Sequence, residues 1–382
     1  MIRVLLVLLA WTGIRAADPA LLRNAFVFVG NGSGVVVSAD GLVLTNHHVA
    51  KDLERIEVRT RTGRTVPAVL LGSDPVGDLA LLRAQAQDWE FADFASPTEL
   101  RPGIAVVAVG NPFGLGDLDD LPSVTFGVLA TGRVARGGYV DAVVSDAPVN
   151  PGNSGGPLFA ADTGHLLGIN GAIRSRSGLR VNTGIGLAIS AVQLARFLPV
   201  LETAGGGLIH RTTLPKSVTL TDGPEGPLVT TAVEPLRVGD RIMSVDERPV
   251  AGAEAARCFA QGQPWQGEGT TIAMVVARGS LTVPLRLSAS RLRIPGRAVV
   301  GLQVKERDGM LAVTAVDEDG PAARAGLRTG QILASVGGTP VTSRIAWLRA
   351  TAALEPGDRL VLGLAAGDQP ASVITIAIPA EL

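Results

Sequence analysis

Between about residues 24 and 200 the apolar positions fall in short β-branched or aliphatic runs separated by turn-forming residues. Val27–Val29, Gly34–Val37 and Leu42–Leu44 are three such runs, punctuated by Asn31-Gly32-Ser33 and Ala39-Asp40-Gly41. Further strands are predicted at Arg55–Val58, Val66–Leu71, Leu79–Leu82, Ala105–Val109, Val124–Ala130, Ala142–Ser145 and Leu166–Ile169. Many short strands with regular turns predict an all-β barrel or sandwich. The pattern changes at Ser190–Val200, where Val192, Leu194, Ala195 and Leu198 share one apolar helical face.

Thr203-Ala204-Gly205-Gly206-Gly207 then reads as a linker, and the text beyond it repeats. Gly239–Val245 followed by Arg248-Pro249-Val250 matches Gly330–Val336 followed by Thr339-Pro340-Val341. A repeat of this kind predicts two similar small α+β domains in tandem. The second copy has room for a short helix starting at Pro321 and ending at Gly326, and a longer one over Ser343–Ala353. The first copy compresses the short-helix interval to Val233–Gly239 and loses that element. The expected division is 1–16 signal peptide, 17–203 β-rich domain, 204–213 linker, 214–290 degenerate first copy and 291–382 complete second copy.

Bulk properties narrow the function. The 382 residues are 46% hydrophobic and 18% charged, which excludes a disordered chain. A net charge of −1 gives no electrostatic case for binding nucleic acid. Cys258 is the only cysteine, so neither an intrachain disulfide nor a cysteine metal site can form. Arg3, the apolar run Val4–Trp11 and a small residue at Ala16 read as a secretory signal; an uncleaved anchor is the alternative.

The most informative stretch is Asn150-Pro151-Gly152-Asn153-Ser154-Gly155-Gly156-Pro157. It sets a serine in a glycine-rich turn, where a hydrolase places a nucleophile. The amides flanking Asn153, from Gly152 and Ser154, can converge on one oxygen as an oxyanion hole. Upstream, Thr45-Asn46-His47-His48-Val49 offers a general base in either histidine. The pair can also be read as metal ligands, but His165 and His210 give no helpful third spacing, so no metal and no cofactor are expected. Asp78, at the mouth of the apolar strand Leu79–Leu82, supplies a carboxylate; Asp74 is its rival. The order His, Asp, Ser is that of the chymotrypsin class, and the three together are far more specific than any one motif.

With those residues in place, the chain resembles the HtrA (Deg) serine proteases. Ser38–Val49, Asp78–Leu82, Gly110-Asn111-Pro112-Phe113-Gly114, Asp146–Pro157, Gly168-Ile169-Asn170 and Gly184–Ile189 carry the likeness. The resemblance implies a mainly β chain: a trypsin-like domain of two β-barrels followed by two PDZ-like domains, the first truncated. It selects His48 as base, with Asp78 and Ser154 completing a triad and Gly152, Asn153 and Ser154 lining the oxyanion hole. It implies a homotrimeric endopeptidase of the bacterial periplasm or secreted space, acting on unfolded or damaged envelope proteins. A catalytically silent chaperone or scaffold, or a protease that reads one partner's C-terminus, are the alternatives.

Details within the family pattern sharpen this. Trypsin-like enzymes that cut after basic residues carry Asp six positions before the nucleophile; here Pro148 stands there, followed by Val149. An apolar pocket for small or medium aliphatic residues follows, with Asp146 structural. Asn153 replaces the aspartate that zymogens pair with a newly freed N-terminus. Gly171-Ala172-Ile173 is the expected strand for the substrate backbone. Phe28–Ser33 is a very short version of a loop that mediates large assemblies in some relatives, which argues against cages. In the second repeat, Gly301-Leu302-Gln303-Val304 is the expected loop for peptide C-termini.

Overall fold

A computed structural model describes residues 24–382 except 52, 54, 137–138, 174–183, 293–299, 308–309, 317–319, 352–353, 355–357, 366–371 and 379–382. The signal segment expected at 1–16 lies outside the described residues. The chain divides into two compact units, 1–292 and 293–382.

The first unit opens with two closed six-stranded antiparallel barrels. The first comprises β1 (Phe26–Val29), β2 (Gly32–Val36), β3 (Leu42–Thr45), β4 (Glu57–Thr60), β5 (Thr65–Asp74) and β6 (Leu79–Ala84), in the order β1-β2-β3-β6-β5-β4. The second comprises β7 (Ala105–Gly110), β8 (Ser123–Arg136), β9 (Tyr139–Ser145), β10 (Pro157–Ala160), β11 (Leu166–Ile173) and β12 (Gly186–Ser190), in the order β10-β11-β12-β9-β8-β7.

Strand periodicity explains why these segments read as continuous apolar runs. Alternate side chains point to opposite faces of a sheet. Val27, Val29, Val43, Ala80 and Leu82 fill the first barrel. Their neighbours Phe26, Phe28, Leu42, Leu44, Leu79 and Leu81 pack instead with Val107, Val109, Phe159 and Ile169 of the second barrel. Both faces of these strands are therefore buried. The shared cluster is completed by Leu194, Phe197 and Leu201 of the helix Ala191–Glu202 (α2, after the one-turn α1 at His47–Ala50). Ser190 caps α2 by accepting the Gln193 amide at 3.2 Å.

Several boundaries differ from the sequence reading. The strand expected at Arg55–Val58 runs from Glu57 to Thr60, because the turn at Arg61–Gly63 sets its register, with the Thr60 amide on the Arg64 carbonyl at 2.9 Å. The loop expected at Phe28–Ser33 is mostly strand: β1 and β2 meet at a two-residue turn, Gly30-Asn31, with Gly30 at φ +50°. The β8–β9 pairing extends beyond the two expected strands, out to Arg136 opposite Tyr139.

After α2, residues 206–209 run along β5: the Gly206 amide donates to the Leu71 carbonyl, the Ser73 amide to Gly207 and the Ile209 amide to Ser73. A sheet in the order β14-β15-β16-β18-β19 follows, formed by Thr219–Gly223, Gly226–Thr231, Arg241–Val245, Thr271–Arg278 and Leu281–Ser288. Beside it lie the helix α3 (Ala253–Phe259), the short strand β17 (Arg248–Pro249), which pairs with β16, and the pair β13 (Thr212–Thr213) with β20 (Ser290–Arg291).

The second unit repeats this order with β21 (Leu302–Arg307), β22 (Met310–Val316), β23 (Ile332–Val336), β25 (Arg359–Leu364) and β26 (Ser372–Ala377), β24 (Thr339–Pro340) pairing with β23. Among its described residues are two helices, α4 (Pro321–Arg324) and α5 (Arg344–Thr351). No helix lies between β15 and β16 in the first copy, in line with the compressed interval. Among the described residues no helix is long and apolar enough to cross a membrane.

Candidate active site

The turn after β3 and the turn before β6 lie on adjacent, paired strands of the first barrel, with Thr45 opposite Ala80. That pairing brings His48 to Asp78. The imidazole Nδ1 sits 2.9 and 2.8 Å from the two carboxylate oxygens, and the His48 amide donates to Oδ1 at 3.0 Å. The Asn46 side chain donates to the Asp78 carbonyl at 2.9 Å. Asp78 holds φ +55°, a left-handed conformation uncommon outside glycine, so the turn depends on these bonds. With Nδ1 facing the carboxylate, Nε2 is left as the basic nitrogen.

The structure also separates the rivals. His47 turns away, its Nδ1 2.6 Å from the Ser73 hydroxyl. Burial, with Lys51 adding to it against the opposing pull of Asp78, lowers its pKa and keeps it neutral. Asp74 is fully buried in an ion pair with Arg211 and does not face the imidazole. No metal-binding cluster of His, Cys, Asp or Glu occurs among the described residues.

Ser154 comes from the second barrel, on the loop from β9 to β10. Its carbonyl accepts the Ser33 amide at 2.9 Å, and the neighbouring Gly155 amide donates to Asn170 at 2.7 Å. Gly155, at φ +83°, lies so close to the Ser33 carbonyl and the Thr45 hydroxyl that a side chain there would collide with both. The serine turn is thereby set against the segment that leads into His48. Gly152 holds φ +104°, and a side chain there would strike the Asn111 carbonyl. The Phe113 amide binds the Pro151 carbonyl at 2.7 Å. Because a trans peptide directs its C=O and N–H oppositely, this bond aims the Gly152 N–H away from the Phe113 loop. Asn153 is buried against Gly110.

The remaining expected site residues are placed as follows. Pro148 is exposed and its carbonyl accepts the Thr125 hydroxyl at 2.8 Å, while the Val149 side chain packs in the second barrel's core beside Gly186. Asp146 accepts the Val128 amide at 2.6 Å. Ala172 and Ile173 pair on one side with Leu187 and Gly186; the pairing of β11 with β10 ends at Ile169 opposite Pro157. In the second unit, Gly301 at φ +66° leads into β21, and the preceding Val300 carbonyl accepts the Ala322 amide of α4 at 2.9 Å.

Two residues at this site escaped the sequence reading. Tyr139, the only tyrosine in the chain, donates its hydroxyl to Asp78 Oδ2 at 2.9 Å from the second barrel. Burial first, and then the adjacent Asp78 charge, raise its pKa far above the ordinary phenol value, so it remains a donor. Ser33, fully buried, spans both barrels: its hydroxyl donates to the Gly152 carbonyl at 2.8 Å and accepts the Asn111 amide at 3.1 Å. The rarity of tyrosine here was the one available signal for the former; Ser33 read as an ordinary turn residue.

Known proteins resemble this chain in sequence and in fold. Residues 32–169 match the trypsin-like peptidase domain family and residues 312–365 the PDZ domain family. A Pseudomonas fulva (strain 12-X) protein named probable periplasmic serine endoprotease DegP-like is 31% identical over 349 residues, 82% of this chain and 71% of the relative. The protein of that name from Chlamydia trachomatis serovar D is 31% identical over 373 residues, 88% of this chain and 72% of the relative. Among solved structures, the HtrA-type protease AlgW with decapeptide aligns with a TM-score of 0.52 at 30% identity, covering 69% of this chain and 83% of that one. The chain belongs to the HtrA family of serine proteases, with a trypsin-like peptidase domain and a C-terminal PDZ domain.

Proposed function

We propose that the protein is an endopeptidase of the cell envelope that hydrolyses unfolded or damaged proteins with a His48–Asp78–Ser154 triad. The observation that carries this reading is the His48 imidazole held by both oxygens of Asp78 beside a glycine-rich serine turn. His48 Nε2 takes the proton of the Ser154 hydroxyl as its oxygen attacks the scissile carbonyl. Asp78 holds the tautomer and stabilises the imidazolium. The Gly152 and Ser154 amides, on either side of Asn153, receive the developing oxyanion; one such donor is typically worth about 10²–10³ in turnover. His48 then protonates the leaving amine, and water hydrolyses the acyl-enzyme by the same relay.

The segment Gly171–Ile173, whose edge beyond Ile169 is not taken by β10, supports pairing with an extended substrate. Pro148 and Val149 support cleavage after small or medium aliphatic residues. Gly301–Val304 of the second repeat is the site we assign to peptide C-termini, and occupancy there regulates the protease. The names of the relatives support a periplasmic location, and the family resemblance a homotrimer.

Casein hydrolysis by the wild type and Ser154→Ala tests the enzyme reading, with fluorophosphonate labelling to map the nucleophile. Equal rates under every peptide and temperature condition, or labelling at another residue, would discard it.

A further inference from the structure

The segment that leaves the barrels for the first repeat copy carries an arginine with no solvent exposure. The side chains of Arg211 and Asp74 are both fully buried. Arg211 Nε donates to Asp74 Oδ2 at 2.7 Å, and Nη2 lies 2.6 Å from the same oxygen without hydrogen-bond alignment. The guanidinium stacks on Phe197 of α2, 4.3 Å from the ring centre. The other Asp74 oxygen accepts the amides of Val76 and Gly77, at 3.1 and 3.0 Å. The next residue is Asp78. A side chain at Gly77 would collide with the guanidinium, so the arginine and the turn are fitted to each other.

At its other end Arg211 belongs to the repeat copy. Nη1 donates to the Gln261 carbonyl at 3.1 Å, just beyond α3, and the Leu292 amide donates to the Arg211 carbonyl at 2.7 Å. Thr212 follows with its hydroxyl on the Ala260 carbonyl at 2.6 Å. A second arginine reaches back the same way. Arg248 stacks on Phe259 of α3, 4.1 Å from the ring centre, and donates to the Val140 carbonyl at 2.8 Å, next to Tyr139. The turn that presents Asp78 and the strand that carries its partner Tyr139 are thus both backed by this copy.

We propose that Arg211 is a positioning residue: through Asp74 it fixes the turn that presents Asp78 to His48, and it ties that turn to the first repeat copy. The inference rests on the assignment of Asp78 as the partner of His48. It gives the truncated copy a role that needs no peptide groove, as a fixed buttress of the catalytic pair. The physical reason is the left-handed backbone at Asp78. Strained backbone persists only where its surroundings over-determine it, and a buried charge pair with Asp74 anchored on two turn amides does that.

The test uses the full chain as wild type, Arg211→Met, Arg211→Lys and Ser154→Ala, each checked for folding by thermal melting. For Arg211→Met, kcat should fall about 10- to 100-fold with KM nearly unchanged, since a small misplacement of a catalytic group carries that cost. Arg211→Lys, which keeps the charge but not the planar fork, should recover part of the rate. The downfield proton resonance of the His48 Nδ1–Asp78 hydrogen bond, assigned by its loss in His48→Ala, should weaken or shift in Arg211→Met and persist in Arg211→Lys. A folded Arg211→Met with wild-type kcat and an unchanged resonance would overturn the proposal. If Arg211→Met does not fold, Asp74→Asn carries the same comparison, because it keeps an acceptor for the turn amides and removes the charge facing Arg211. Failure of the enzyme reading is recognised separately, as wild type no faster than Ser154→Ala, and the resonance then still decides the positioning role.

Discussion

Tyr139→Phe removes one oxygen and leaves the ring that fills the space beside Gly171. The lost hydroxyl is one of the donors to the Asp78 carboxylate; the His48 amide and imidazole remain. A hydrogen bond to a charged group contributes about 1.5–3 kcal/mol net. At about 1.4 kcal/mol per tenfold in rate, full loss corresponds to roughly 10- to 150-fold. Two contacts to His48 persist, so the expected loss in kcat/KM is near the lower end, about tenfold. The phenol is held protonated by burial, so the deficit should be the same across the working pH range. The assay is hydrolysis of a fluorogenic peptide with an aliphatic residue at the cleavage position, read with fluorophosphonate labelling and a melting curve. A folded Tyr139→Phe within about twofold of wild type would refute the reasoning, because the structure makes this hydroxyl the second barrel's hold on the carboxylate.

Three further outcomes follow from the same geometry. Gly152→Ala, at φ +104° and against the Asn111 carbonyl, should displace the oxyanion amide and reduce turnover about 10²-fold or more, measured as the rate of serine acylation. Ser33→Ala should lower thermal stability by about 1–3 kcal/mol, because it leaves the Gly152 carbonyl and the Asn111 amide short of a buried partner. Glu99 is pushed up by burial, but hydrogen bonds from the Ser96 amide and hydroxyl and from His165 outweigh this and hold its pKa at about 2, below the ordinary 4.5. Its contribution is complete above the unfolded value and fades as pH falls from about 4.5 through about 2, so the stability gap between wild type and Glu99→Gln should close over that window in acid denaturation.

Much of this protein is written locally. Strands and turns are set by short-range pattern, so the barrels were legible from apolar runs with Gly and Asn punctuation. The repeat was legible because its strand and turn residues recur in order. His48, Asp78 and Ser154 stood out because a nucleophile turn, a base and a carboxylate each need particular residue types at particular places. The tertiary structure decided what depends on distance in space. It separated Asp78 from Asp74, four residues apart, by burying one with Arg211 and aiming the other at His48. It brought Tyr139 and Ser33 to the site from strands with no local mark of function. It also turned the glycine-rich stretch after α2 into a run paired with β5 that delivers a buried arginine beneath the Asp78 turn. Hydrogen bonds between residues 61 to 137 positions apart leave no periodicity in a single sequence, and only the folded chain reveals them.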